Sequence, residues 1–130
     1  MKSPFLQLHQ AIRDRIQAQT NYKVYDDFPG PDVSMPYVTS GEMSGRAWSD
    51  KFQAGQEVMS TLHVWSDYPG RKECLEMQDA ILRALSGERL YLGQEFYAVY
   101  SGLDMNEIII DIDGVTRHGI LRIRYLIEEV

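Results

Sequence analysis

The sequence predicts an α+β domain, in which two α-helices pack on one face of an antiparallel β-sheet of about four strands. Three observations lead to this fold class. Apolar residues recur at helical spacing near the N-terminus and again after Pro69-Gly70. Several other segments read as strands, most clearly 57–65 and 119–127. The 130 residues contain no repeat, low-complexity tract or linker, so residues 1–130 are predicted to form a single domain.

The first predicted element is an amphipathic helix over residues 3–20. Its apolar residues recur at steps of three and four: Phe5, Leu8, Ile12 and Ile16. Ser3 is a suitable N-cap, and Pro4 suits the first helical position because no intrahelical hydrogen bond is lost there. Asn21 is expected to end the helix.

The next segments predict the first strands of the sheet. Residues 22–28 are aromatic and favour a short strand. Residues 29–36 contain three prolines and are expected to form an irregular connection. A second strand is predicted at 37–45, and residues 46–55 are expected to form a long hairpin loop.

Residues 55–87 predict a strand, a tight turn and a helix. One face of the strand carries Val58, Ser60, Leu62 and Val64, and the other carries Met59, Thr61, His63 and Trp65. Pro69-Gly70 cannot continue a central strand. The helix that follows is predicted from a stripe at helical spacing formed by Cys74, Met77, Gln78, Ile81 and Leu85 and widened by Leu75 and Leu82, and Gly87 is its natural end.

The C-terminal part of the chain predicts the remaining strands. One strand is expected around 96–103, and 107–111 either continues it or forms another short strand. Residues 104–118, apart from any such strand, are expected to form a long loop with a turn at Asp113-Gly114. The last strand, 119–127, points four apolar residues inward: Leu121, Ile123, Tyr125 and Ile127.

Composition favours a soluble cytosolic protein whose main task is not nucleic-acid binding. The net charge is −6 and the isoelectric point is near 5.0, whereas nucleic-acid binding normally needs a basic surface. No apolar run approaches the roughly 18 residues of a membrane helix. The N-terminus lacks the apolar stretch of a signal peptide. The single cysteine, Cys74, cannot build an internal disulfide framework.

No motif predicts a metal, a cofactor or a catalytic centre. None of the three histidines has another ligand at metal-binding spacing. Cys74 could in principle be a nucleophile with His63 as its base, but a cysteine on an apolar helix face is more often a small buried residue. DIDG (111–114) reaches its glycine too early for a calcium loop, and the serine of GEMSG (41–45) is one position late for a nucleophile elbow.

Six residues are candidates for contacts with other proteins: Arg46, Trp48, Lys51, Phe52, Arg122 and Arg124. The two aromatic side chains have no clear place in the core. They either fold back over the sheet as a lid or act as anchors in a protein–protein contact. The two arginines of the last strand point outward, where such a pair is more often solvated or interfacial than an anion-binding site.

Most of the chain resembles a known family. “AGQEVMSTLHVWSDYPGRKECLEMQDAILRAL” (54–85), “DGVTRHGILRIRYLIEE” (113–129) and “MPYVTSGEMSG” (35–45) are similar to the tail-completion, or tail-to-head joining, proteins of long-tailed phages and prophages. The similar features are Pro-Tyr-Val before a small-residue strand, a strand that ends in Trp-Ser before a helix, and a closing strand with alternating arginines. These motifs are structural rather than catalytic.

The resemblance implies a structural role without catalytic residues or cofactors. A protein of this kind would cap the tail tube, form a ring that is expected to be a homo-hexamer, and dock onto the connector or head-completion protein. It would assemble in the host cytoplasm and then reside in the virion, at the head–tail junction. Its partners would be other copies of itself, the tail tube protein and the connector, with no membrane involved.

Four acids suggest how DNA would pass through such a ring. Asp104, Glu107, Asp111 and Asp113 are hypothesised to face the lumen, where DNA would slide without being bound because its phosphates are not neutralised. Two alternatives stay open. One is a small α+β enzyme or ligand-binding domain that uses His63 or His118 as a base near Arg122, and the other is an oligomeric adaptor from outside phages.

Overall fold

The computed structural model describes residues 2–49 and 54–130. The elements follow in this order: α1 (Phe5–Gln19), β1 (Val24–Tyr25), β2 (Tyr37–Ser49), β3 (Ala54–Ser66), α2 (Lys72–Ser86), β4 (Phe96–Ile110) and β5 (Arg117–Glu129). The predicted α+β class is confirmed.

The strands form one sheet in the order β1-β2-β3-β5-β4. Among the described residues it has five strands rather than about four, and it is mixed rather than wholly antiparallel. The difference comes from β1, which pairs in parallel with β2 through Val24–Val38 and Tyr25–Thr39. The other three pairings are antiparallel, as predicted.

The hairpin loop expected at 46–55 is largely strand. Strand β2 runs to Ser49 and β3 begins at Ala54, so Arg46 lies opposite Glu57 and Trp48 lies opposite Gly55. The segment has no alternating apolar pattern of its own. The pairing of two long strands extends the ladder through residues whose local preference is weak.

The loop expected at 104–118 is also much shorter. Strand β4 continues to Ile110 and β5 starts at Arg117, which leaves a turn around Asp113-Gly114 as predicted. Strand β4 has irregular pairing between Ala98 and Tyr100 and again between Leu103 and Met105. Such bulges accommodate extra residues without ending a strand.

Both helices have the expected amphipathic pattern. In α1 the helix starts at Phe5, so Pro4 is the N-cap rather than the first helical residue, and Ser3 Oγ accepts a 3.3 Å hydrogen bond from the Phe5 N–H. In α2, Glu73 lies in the first turn and Arg83 in the last, which complements the helix dipole. Neither of these helices is long and apolar enough to cross a membrane, and the described residues contain no other helix.

One hydrophobic core joins the two helices to one face of the sheet. Its fully buried side chains include Leu8, Ile16, Val58, Leu62, Val64, Met77, Ile81, Leu85, Leu121, Tyr125 and Ile127. No helix covers the opposite face within the described residues. This uncovered face is defined by the alternate residues Met59, Thr61, His63 and Trp65 of β3 and Ile120, Arg122, Arg124 and Leu126 of β5.

Candidate assembly surface

The uncovered face carries charges that are already paired. Arg124 donates two hydrogen bonds to Glu57 Oε2, from Nε at 3.0 Å and from Nη2 at 2.8 Å. Arg122 Nε lies 2.7 Å from Asp104 Oδ2. The two arginines point outward as predicted, but each already has a carboxylate partner. They therefore form no free anion-binding pair.

A histidine–tryptophan cluster occupies one end of the uncovered face. His63 Nδ1 and His118 Nε2 are 2.7 Å apart, so one ring donates a hydrogen bond to the other. Trp65 stacks on His118 with 3.9 Å between ring centroids and 9° between planes, and its Nε1 donates a 3.0 Å bond to Thr39 Oγ1. Burial and the nearby charge of His63 lower the pKa of His118, whereas Asp111 and Glu107 act in the opposite direction.

The geometry of this cluster can be compared with the alternative in which His63 or His118 acts as a base near Arg122. The structure brings His63 and His118 together, and His63 lines an open cleft of about 310 Å³. The arginine proposed to assist them, Arg122, is bound to Asp104 instead. Cys74 lies in the core under the other face, where burial raises the pKa of its thiol. It is the small buried residue that its helix position predicts, so it forms no nucleophile–base pair with His63.

The predicted contact residues near the first hairpin are only partly described. Arg46 and Trp48 lie in β2, not in a loop. A Cβ added to Gly55 would lie 2.7 Å from Trp48 Cε3, so the indole lies over the glycine of the facing strand. Lys51 and Phe52 fall outside the described residues.

The four acids assigned to a lumen occupy two different places. Asp104 and Glu107 belong to β4, and Asp104 is paired with Arg122. Asp111 and Asp113 belong to the turn between β4 and β5. Asp113 accepts hydrogen bonds from the backbone N–H groups of Val115 and Thr116, both at 2.8 Å, and from the Thr116 hydroxyl at 2.6 Å. These bonds lower the pKa of Asp113 and fix the turn.

The described residues contain no cluster of three or more histidines, cysteines or acids that could hold a metal ion.

The cleft beside His63 was not anticipated, because its walls come from distant parts of the sequence. They include Asp27 and Phe28 from the connection before β2, Glu42 from β2 and Trp65 from β3. The one signal available in the sequence was Phe28, an aromatic residue placed between two aspartates and a Pro-Gly turn.

Comparison with known proteins gives consistent matches. A family model described as “Tail completion protein gp17” matches residues 7–128. The tail completion protein gp17 of Bacillus phage SPP1 is 33% identical over 99 residues, which make up 76% of this chain and 72% of that protein.

Two solved structures have the same fold. The bacteriophage SPP1 gp17 protein aligns with a TM-score of 0.59 and 26% identity, covering 91% of this chain and 86% of that one. A chain from the virion of a native gene transfer agent particle aligns with a TM-score of 0.72 and 22% identity, covering 97% and 92% of the two chains.

Proposed function

Because the chain belongs to the family of tail completion proteins, we propose that it caps the tail tube and joins the tail to the head connector as a homo-oligomeric ring. The membership confirms the resemblance seen in the sequence motifs. Membership of this family identifies a structural phage tail protein rather than an enzyme. The catalytic alternative is therefore wrong. The ring, its partners and its position at the head–tail junction are the proposal.

The sheet has two free edges on opposite sides, and this observation supports the ring. Strand β1 pairs with only two residues of β2, so the rest of β2 has no neighbouring strand on that side within the described residues. Strand β4 forms the other edge. Two different edges can meet head to tail, and such heterologous contacts generate closed rings when the rotation closes.

We further propose which of the two layers faces the lumen. The helices would lie on the outside of the ring and the uncovered face on the inside. The arginines there are already matched by Glu57 and Asp104. With Glu107 and the turn residues Asp111 and Asp113 added, the lumen would offer DNA phosphates few free cations, so DNA would pass through without being held.

The ends of the ring would then contact the tail tube protein and the head connector. Arg46 and Trp48 of β2, together with Lys51 and Phe52 of the sequence between β2 and β3, are proposed to supply one such contact, either to a neighbouring copy or to a partner. Six copies are expected from the family resemblance. Assembly would take place in the host cytoplasm before the protein enters the virion.

The ring contact is tested by placing a lysine on each free edge. Ala47→Lys on β2 and Val99→Lys on β4 introduce a charge at exposed edge positions. Leu6→Lys, at an exposed position of α1, is the matched control. We expect both edge variants to stay folded but to sediment as monomers under conditions where the control forms rings. Rings that persist in both edge variants would contradict the edge-to-edge contact.

The orientation of the uncovered face is tested by reversing one charge. Glu107→Lys adds a cation on β4, and Glu88→Lys adds one beside α1, where Arg15 bonds to the Glu88 carbonyl. We expect slower DNA ejection only from particles that carry Glu107→Lys. Equal ejection rates would mean that Glu107 does not face the lumen.

A further inference from the structure

The cleft beside the histidine–tryptophan cluster has the chemistry of a cation-binding site. It has a volume of about 310 Å³ and lies between the connection that precedes β2 and the ends of β2 and β3. Two carboxylates, Asp27 and Glu42, and two aromatic rings, Phe28 and Trp65, contribute to its walls. We call it the acidic aromatic cleft.

The two carboxylates are available to a ligand. Asp27 Oδ1 accepts a 2.9 Å hydrogen bond from the Phe28 N–H, and neither Asp27 nor Glu42 forms an ion pair within the described part of the chain. The adjacent Asp26 differs, because it lies 2.9 Å from His9 Nε2. Two exposed, unpaired carboxylates in one concave site attract a cation and repel phosphate.

The aromatic part of the cleft is held in place before any ligand arrives. Trp65 is fixed by its stacking on His118 and its bond to Thr39, and the His63 ring is fixed by His118. Gly41 allows β2 to approach this ring, since a Cβ there would lie 2.7 Å from His63 Nε2. A site that is ordered in advance loses less conformational entropy when it binds.

Phe28 gives the cleft an exposed aromatic ring. Its side chain is 66% exposed in the irregular connection between β1 and β2. Exposed aromatic rings beside carboxylates suit a guanidinium, whose flat face stacks on the ring while its N–H groups bind the acids.

We propose that the acidic aromatic cleft binds an arginine side chain of a different virion protein, one with a basic surface. The identification of that protein as a virion component depends on the proposed function, whereas arginine binding does not. A second copy of this chain is a poorer source, because it also carries a net charge of −6. Seven of the nine arginines in the sequence already contact an acid, a carbonyl or an aromatic ring of their own chain: Arg13, Arg15, Arg83, Arg89, Arg117, Arg122 and Arg124.

The test is a titration of the purified protein, observed by NMR through its two indole N–H signals. Trp65 lines the cleft, and Trp48, at the other end of the sheet, serves as an internal control; Trp48→Phe assigns the signals. The probe is N-acetyl-arginine amide, and its uncharged counterpart is N-acetyl-citrulline amide. We expect a saturable shift of the Trp65 signal with arginine only, with a dissociation constant on the order of millimolar.

Matched variants locate the binding site. Asp27→Asn and Glu42→Gln should each weaken arginine binding about fivefold, because each removes one exposed charge contact. Glu88→Gln, outside the cleft, should not. An equal response to citrulline, or unchanged binding in both cleft variants, would overturn the proposal.

The source of the arginine is tested separately by sedimentation of the free protein. Arg46 and Arg71 are the two arginines that contact no acid, carbonyl or aromatic ring among the described residues. We expect Asp27→Asn to self-associate as the parent does. Arg46→Ala and Arg71→Ala are the variants that would remove the arginine if a second copy supplied it. If Asp27→Asn and one of the arginine variants abolished self-association equally, the ligand would be a second copy and the assignment to a different protein would be wrong. If the parent protein binds arginine but forms no rings, that result would count against the proposed function alone.

Discussion

The two faces of the sheet use their residues differently. On the helix-covered face, Val58, Leu62 and Val64 of β3 are at most 2% exposed. On the uncovered face, their neighbours Met59 and His63 are half-buried and lie among paired charges and aromatic rings. The same strand therefore contributes to folding through one set of side chains and offers the other set to a surface.

The difference shows what each face can tolerate. A packed apolar face is sensitive to small changes in volume, because its neighbours cannot fill a gap or move away from an added atom. A face whose ion pairs are half exposed contributes little to folding, since such pairs are screened by water. Substitutions on the covered face should therefore change stability, and those on the uncovered face should change assembly.

The largest expected effect comes from Leu62→Ala on the covered face. Removing this 2%-exposed side chain leaves a cavity and should lower the free energy of unfolding by about 3 kcal/mol. Met59→Ala, three residues earlier on the uncovered face, should cost about 1 kcal/mol or less. Urea denaturation measures both. Similar losses would mean that the uncovered face is as tightly packed in the isolated protein as the core.

A smaller loss is expected when one methyl group is added to the same core. A Cβ at Gly119 would overlap Val64 Cγ2 and lie 2.8 Å from Gln78 Nε2 and 2.9 Å from Cys74 Sγ. Gly119→Ala should therefore lower the free energy of unfolding by about 2 kcal/mol. Val64→Ala removes the nearest atom, so the double variant should be less destabilised than the sum of the two single variants. Strict additivity would show that the overlap is relieved in some other way.

The covered face could be predicted from the sequence because its pattern is local. The spacing of Leu8, Ile12 and Ile16 and the alternation from Leu121 to Ile127 each reflect one element packed against one core. The predicted inward residues of the last strand are all buried. The hydrophobic periodicity of the sequence is therefore sufficient to predict which of these side chains are buried.

The uncovered face could be predicted only in part, because its contacts join distant residues. His63 and His118 are 55 positions apart and meet only after β3 pairs with β5. Asp104 and Glu107 disfavour strands locally, yet both lie in β4: Glu107 pairs with Ile120, and Asp104 lies at the irregularity between Leu103 and Met105. The acidic aromatic cleft likewise needs three separate segments, and no single one of them indicates it.

The double variant Trp48→Ala, Phe52→Ala should separate assembly from stability. Trp48 is half-buried over Gly55, so the loss of stability should be about 1 kcal/mol. Tail joining, counted by electron microscopy as heads attached to tails, should fall strongly if these two aromatic residues are the proposed anchors. Leu6→Ala, on the exposed side of α1, is the control and should change neither quantity. Unchanged joining and assembly in the double variant would exclude these residues as contacts.

The smallest effect is a pH dependence that arises on the uncovered face. Burial and the charge of His63 lower the pKa of His118 below its ordinary value of 6.5, so the folded protein binds this proton less readily than the unfolded chain does. Stability linked to His118 is therefore complete above about pH 6.5 and declines as the pH falls toward the lowered pKa. His118→Gln should make the decline in melting temperature between about pH 7 and 5 shallower. If instead the decline in melting temperature is the same in His118→Gln as in the parent, protonation of His118 has no cost in the folded protein. The cluster would then not stabilise the uncovered face.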